Sequence, residues 1–141
     1  MVPIQLIVLV IVAFVFGAML FFAAVVTPVL FRKLSREAAG EALRRLFPAY
    51  YLVLGCAAAT AAVLYSIDVS PASLNANLLA AVAAGFFLGR FVLLPRINKI
   101  RPAPGETSAE FKRLHRVSVI INLVQLLVIL FVLTTFLTPV E

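Results

Sequence analysis

Uncharged, mostly apolar residues run without a break over positions 4–31, 46–67 and 117–140, and a fourth apolar run, 74–94, carries a single charge at Arg90. A helix rises about 1.5 Å per residue, so roughly 20 such residues cross a bilayer. Each run is long enough. None shows the polar face that a helix in a water-soluble bundle would need. The pattern predicts an all-α polytopic membrane protein. Its four transmembrane helices lie at about 4–31, 46–67, 74–95 and 117–138, as two helical hairpins in one domain over residues 1–141. A left-handed four-helix bundle is the expected packing.

Breaks in the pattern locate the joints. Pro28, near the end of the first run, lacks a backbone donor and predicts a kink. Leu34-Ser35-Arg36-Glu37-Ala38 predicts a helix start, with Ser35 as N-cap and Glu37 in the first turn. Leu34, Ala38, Ala42, Leu43 and Leu46 fall near one face of it, as in a short interfacial helix before the second span opens at Phe47-Pro48. Asp68-Val69-Ser70-Pro71 predicts a tight turn. The third span is expected to stop at Pro95, and Arg101-Pro102-Ala103-Pro104-Gly105 is too proline-rich for a helix. Thr107-Ser108-Ala109-Glu110 fits a capping box, so the last helix should begin near Ser108.

Charge sets the orientation. All 12 Lys and Arg residues fall between Arg32 and Arg45 or between Arg90 and Arg116, while the turn near Asp68 has none. Short basic loops stay in the cytoplasm. Both termini are therefore expected outside, most naturally in a bacterial plasma membrane. The first run lacks a basic leader and runs into Arg32, Lys33 and Arg36, which is the flank of a retained span and not of a cleaved signal. A net charge of +6 beside the spans points to anionic lipid headgroups, at about 1 kcal/mol per basic residue, and away from nucleic acid.

Candidate chemistry is sparse. Arg90 lies about 7–8 Å up the helix from Pro95 at 1.5 Å per residue, and no span holds an acid to pair with it. Lipid phosphate reached by snorkelling, backbone carbonyls or an anionic ligand are its open partners. His115, Ser118, Asn122 and Gln125 share an arc of about 80° on the last helix, counting about 100° per residue. That stripe suits interhelical hydrogen bonds, or a cytoplasm-facing pocket lined also by Arg90, Tyr50 and Tyr51. His115 stands alone as a histidine, with no second His, Cys or acid at ligand spacing, so no metal site is expected. Haem contact through it is an alternative to a chain without cofactor. Cys56 reads as a small packing residue. Phe31, Phe47, Tyr50, Phe91 and Phe111 gather toward the basic side, as aromatic belts do. Ala81, Gly85 and Gly89, with Gly55/Ala59 and Ala58/Ala62, are small-residue faces that favour tight packing of spans two and three, or self-association.

Two stretches resemble a known family. They are Phe31-Arg32-Lys33-Leu34 with Arg44-Arg45-Leu46-Phe47-Pro48-Ala49-Tyr50-Tyr51, and Gly89-Arg90 with Pro95-Arg96-Ile97-Asn98 followed by Phe111, Leu114-His115, Ser118 and Asn122. Together they resemble the small membrane proteins typified by transmembrane protein 205, also known as domain of unknown function 4149. The resemblance implies a four-helix integral membrane protein whose bacterial members have no agreed biochemical role. The architecture is also similar to the copper-resistance-type membrane domain and to haem-pathway protoporphyrinogen oxidases. Those oxidases rely on a first-span histidine that this chain lacks. The two halves also resemble each other faintly, Leu43-Arg44-Arg45-Leu46-Phe47 against Phe111-Lys112-Arg113-Leu114-His115, with Pro28 and Pro95 in matching places.

No catalytic set emerges: one histidine and no acid in a span exclude a serine–histidine–acid triad, and there is no glycine-rich phosphate loop. The leading expectation is binding or transport of a small anionic or amphipathic ligand at the polar pocket, Arg90 holding the anion and Asn122, His115 and Tyr51 orienting it. The alternatives are a non-catalytic subunit or assembly factor of a larger membrane complex, and a haem- or quinone-dependent oxidoreductase. In a Cys56→Ala background, single cysteines at Lys33 and Lys99 should both react with an impermeant thiol reagent from the cytoplasmic side alone. Labelling from opposite sides would overturn the topology.

Overall fold

The computed structural model describes residues 3–103 and 108–137, and these are helical except at their joints. Four helices are long and apolar enough to cross a membrane, Ile4–Lys33, Arg36–Asp68, Leu74–Lys99 and Ala109–Thr135, which mark an integral membrane protein. The first comprises α1 (Ile4–Phe21), a π-helical segment (Phe22–Val26) and α2 (Thr27–Lys33). The second is one unbroken helix, α3 (Arg36–Asp68). The third repeats the first: α4 (Leu74–Leu88), a π-helical segment (Gly89–Leu93) and α5 (Leu94–Lys99). The fourth is α6 (Ala109–Thr135).

The prolines explain the two π segments. Proline has no N–H, and its ring presses on the carbonyl four residues back. In both helices the residue just before the proline donates five residues back instead of four, Thr27 to the Phe22 carbonyl and Leu94 to the Gly89 carbonyl. The wider turn moves the crowded carbonyl aside, and the chain stays helical. Pro95 therefore does not stop the third helix, which runs on to Lys99. Pro48 is likewise carried inside α3, so the short interfacial helix expected before it is not separate. Its buried residues are Ala39 and Leu43, whereas Leu34, Ala38 and Leu46 are exposed.

The starts of three helices follow from their hydroxyls. Ser35, Ser73 and Ser108 each accept from the backbone N–H three residues on, at 3.2 Å, which satisfies one of the free donors of a helix start. Ser108 takes the cap of α6; the expected cap at Thr107 lies outside the described residues. α4 opens at Leu74, where the sequence places it.

In cross-section α1 neighbours α3 and α6, and α4 also neighbours α3 and α6. The core runs through Val8, Val12, Val15, Leu54, Ala58, Leu79, Phe86, Ile129 and Val132, all buried. The closest seam is α3 on α4. A methyl group on Gly55 would sit 3.1 Å from Phe87 Cε1 and 3.3 Å from Phe86 Cβ, so the aromatic pair is seated where Gly55 leaves room. The stripe Ala81, Gly85, Gly89 does not form one face toward α3. Ala81 is exposed, Gly85 faces Gln125 of α6, and Gly89 faces Tyr51. Positions four apart drift about 40° per step at about 100° per residue, and the π segment then begins at Gly89. Cys56 is exposed and not a packing residue.

Gly55→Leu should destabilise the bundle by about 1–3 kcal/mol, the range for overpacking a filled site, whereas Cys56→Leu next door should change stability by less than about 0.5 kcal/mol. Reversible unfolding in detergent, followed by circular dichroism, measures both; equal effects would contradict the seam.

Candidate functional site

One end of the bundle holds a cavity of about 610 Å³, within the ~300–1,000 Å³ usual for small-molecule sites. Its wall on the first span is Met19, Phe22, Ala23, Thr27 and Phe31. The opposite wall, on α6, is Phe111, His115, Ser118, Val119, Asn122, Leu123 and Leu126. Between them lie Arg36, Gly40, Leu43, Arg44, Phe47, Tyr50 and Tyr51 of α3, and Leu94, Ile97, Asn98 and Arg101 from α5 and the segment after it.

Aromatic rings build the deep part. Phe22 lies 4.5 Å from Tyr50 and 5.3 Å from Phe47, and Phe47 stacks on Tyr51 at 5.5 Å between centroids. Phe86 closes the cluster beneath both tyrosines. Rings at these separations attract beyond their buried area. Tyr50 thus lines the cavity and packs on the core. Phe22 sits in a uniformly apolar stretch, where nothing in the sequence marks it as a wall residue.

The polar stripe of α6 turns inward, and most of it is spoken for. Tyr51 and Ser118 share a hydrogen bond at 3.2 Å. Asn122 donates to the Tyr51 hydroxyl at 3.3 Å and to the Ser118 carbonyl at 2.9 Å. Gln125 is buried and donates to the Val82 carbonyl of α4 at 2.9 Å, so it bridges helices and does not line the cavity. At the far end Asn75, also buried, donates to Tyr65 and to Thr135 and joins three helices. A polar group left unpaired in an apolar layer is costly, and these pairs remove that cost. Nothing in the sequence marks Asn75 as a cross-link, because one polar residue in an apolar run has no periodicity.

The cationic rim differs from the one expected. Arg90 does not line the cavity. Its neighbour Gly89 takes the inward position against Tyr51, and successive helical residues are turned about 100° apart. The Arg90 guanidinium instead lies 5.6 Å from the Phe91 ring, and its Nε has no hydrogen-bond partner among the described residues. Arg36, Arg44 and Arg101 supply the rim. Arg44 is held by Glu41, which also bonds Arg45 at 3.0 Å; its Nε is buried and unpartnered among the described residues. The Arg101 guanidinium rests over Gly40, where a side chain would collide with it. His115 is exposed, lines the cavity and stacks on Phe111 with rings 6.1 Å apart. Among the described residues no three His, Cys, Asp or Glu side chains come together as a metal site would need.

Residues 10–106 match the family described as Domain of unknown function (DUF4149). The chain belongs to this family. The DUF4149 match covers most of the first span, the second and third spans and the arginine rim, and ends before α6, which supplies the opposite wall. No curated protein and no solved structure matches the chain.

Tyr51→Phe should weaken the bundle by about 0.6 kcal/mol for each hydrogen bond lost, and combining it with Asn122→Leu should cost less than the two changes added. A double-mutant cycle on detergent unfolding reads the coupling; strict additivity would mean the three groups do not act together.

Proposed function

We propose that this DUF4149 protein binds a small anionic or amphipathic ligand in the cavity at its basic end, as a binding or transport-type membrane protein. The observation that carries the reading is the mixed lining of that cavity. Arg36, Arg44 and Arg101 line it together with Met19, Phe22, Phe47, Leu94 and Leu126, beside a few uncharged polar groups such as Thr27, Ser118 and Asn122. A guanidinium offers forked donors that match carboxylate or phosphate, and an apolar pocket with a few convergent polar groups is the usual form of a ligand site. Glu41 engages Arg44 and Arg45, while neither Arg36 nor Arg101 makes an ion pair with a described acid.

The reading includes the topology argued from charge: two helical hairpins, both termini outside and the arginine rim facing the cytoplasm of a bacterial cell. It also keeps the kinship with transmembrane protein 205-type proteins. Arg36 and Arg101 take the anion-holding role first given to Arg90. His115, Ser118, Asn122, Tyr50 and Tyr51 remain as wall residues that shape and orient the ligand.

Arg101→Gln should lower affinity for an anionic amphiphile such as dodecyl phosphate by about tenfold, since a hydrogen bond to a charged group is worth about 1.5–3 kcal/mol and about 1.4 kcal/mol is tenfold in binding. Arg90→Gln should leave it within twofold. Isothermal titration of the purified protein in a neutral detergent measures both. Unchanged affinity in Arg101→Gln, or no binding by the unaltered protein, would overturn the reading.

A further inference from the structure

The first span and α6 do not run alongside each other for their whole length. α1 packs on α6, yet no Cα of residues 22–33 comes within 8 Å of a Cα of α6. The separation begins at the π segment, where the backbone turn widens ahead of Pro28. It opens between the two walls of the cavity, and the exposed lining residues of those walls are Ala23, Phe31, His115, Val119 and Leu123. All but His115 are apolar. A cavity meant for a water-soluble anion would have no use for an apolar cleft on the flank of a membrane bundle.

We infer that the ligand is an anionic lipid-like amphiphile that enters sideways from the bilayer between the first span and α6, its phosphate or carboxylate head on Arg36 and Arg101 and its hydrocarbon chain passing out between Ala23 and Leu123. This rests on the pocket reading above and adds the chain and the route. The cost of moving the charged head inward is offset by the guanidiniums, while the chain never leaves an apolar surrounding. A head and chain held together are what a rim of arginines at the mouth of an apolar cleft selects. Charge complementarity favours an anionic head over a zwitterionic one.

The test compares two probes on the protein in phosphatidylcholine nanodiscs: lysophosphatidic acid, which carries a phosphate and one chain, and inorganic phosphate, which carries the head alone. Lysophosphatidic acid should bind at least 100-fold more tightly than phosphate and at least tenfold more tightly than lysophosphatidylcholine. Ala23→Trp and Leu123→Trp, each placing a ring in the cleft, should weaken lysophosphatidic acid at least fivefold. Val10→Trp, at an exposed position away from the cavity, should leave it unchanged and controls for folding. Phosphate binding as tightly as the amphiphile, with both cleft variants silent, would overturn the lateral route and leave the pocket standing. Failure of both probes to bind would remove the pocket reading itself, and this inference with it. Equal binding of lysophosphatidylcholine would overturn the anionic head.

Discussion

A guanidinium in hydrocarbon costs about 2.5–3.5 kcal/mol even on lenient insertion scales, and most of this protein's architecture follows from that one cost. It confines eleven of the 12 basic residues to segments flanking the apolar runs, and leaves Arg90 as the exception. Within one end of the bundle it makes room for a mixed environment, three arginines beside an apolar cavity. Elsewhere the same aversion to unpaired polarity turns Tyr51, Ser118 and Asn122 toward one another, Gln125 toward the Val82 carbonyl, and Asn75 toward the Tyr65 and Thr135 hydroxyls. The polar groups inside the bundle are therefore its cross-links before they are anything else.

The backbone solves a related problem twice. A proline inside a helix that has no water to bind its freed carbonyl must be accommodated by the helix itself. Both Pro28 and Pro95 are preceded by a five-residue π segment whose closing bond reaches five residues back. Each is followed by a short helix ending in basic residues and then by a serine-capped long helix. The halves thus share a construction more definite than their faint sequence likeness. Segments of this kind often mark functional places in helices. Here the first of them contributes Phe22 and Ala23 to the cavity wall.

Close approach of α3 and α4 supplies the rigid side of the site. Gly55 admits Phe86 and Phe87, Phe86 in turn backs Tyr50 and Tyr51, and Gly89 admits the Tyr51 ring. The aromatic floor of the cavity is fixed by small residues a turn or more away. The opposite wall has less support, because the first span parts from α6 beyond its π segment. One side of the cavity is packed, and on the other the two walls part. That asymmetry is what the proposed entry from the bilayer rests on.

The sequence by itself determined that four long apolar helices suit a membrane, where Ser35 caps a helix, where the joint after Asp68 falls and that Ser118, Asn122 and Gln125 of α6 turn inward. Transfer of a side chain from water and the capping of a helix end are local properties, legible from residue type and spacing. It did not determine that Pro95 leaves its helix intact, that Arg90 stands outside the cavity, or that Arg36, Arg44, Arg101 and Phe22 line it. A helix apolar on every side names no face for its neighbours, so the choice of inward residue falls to packing. Residues 36 and 101 lie far apart along the chain, and only the tertiary structure brings their guanidiniums to one rim.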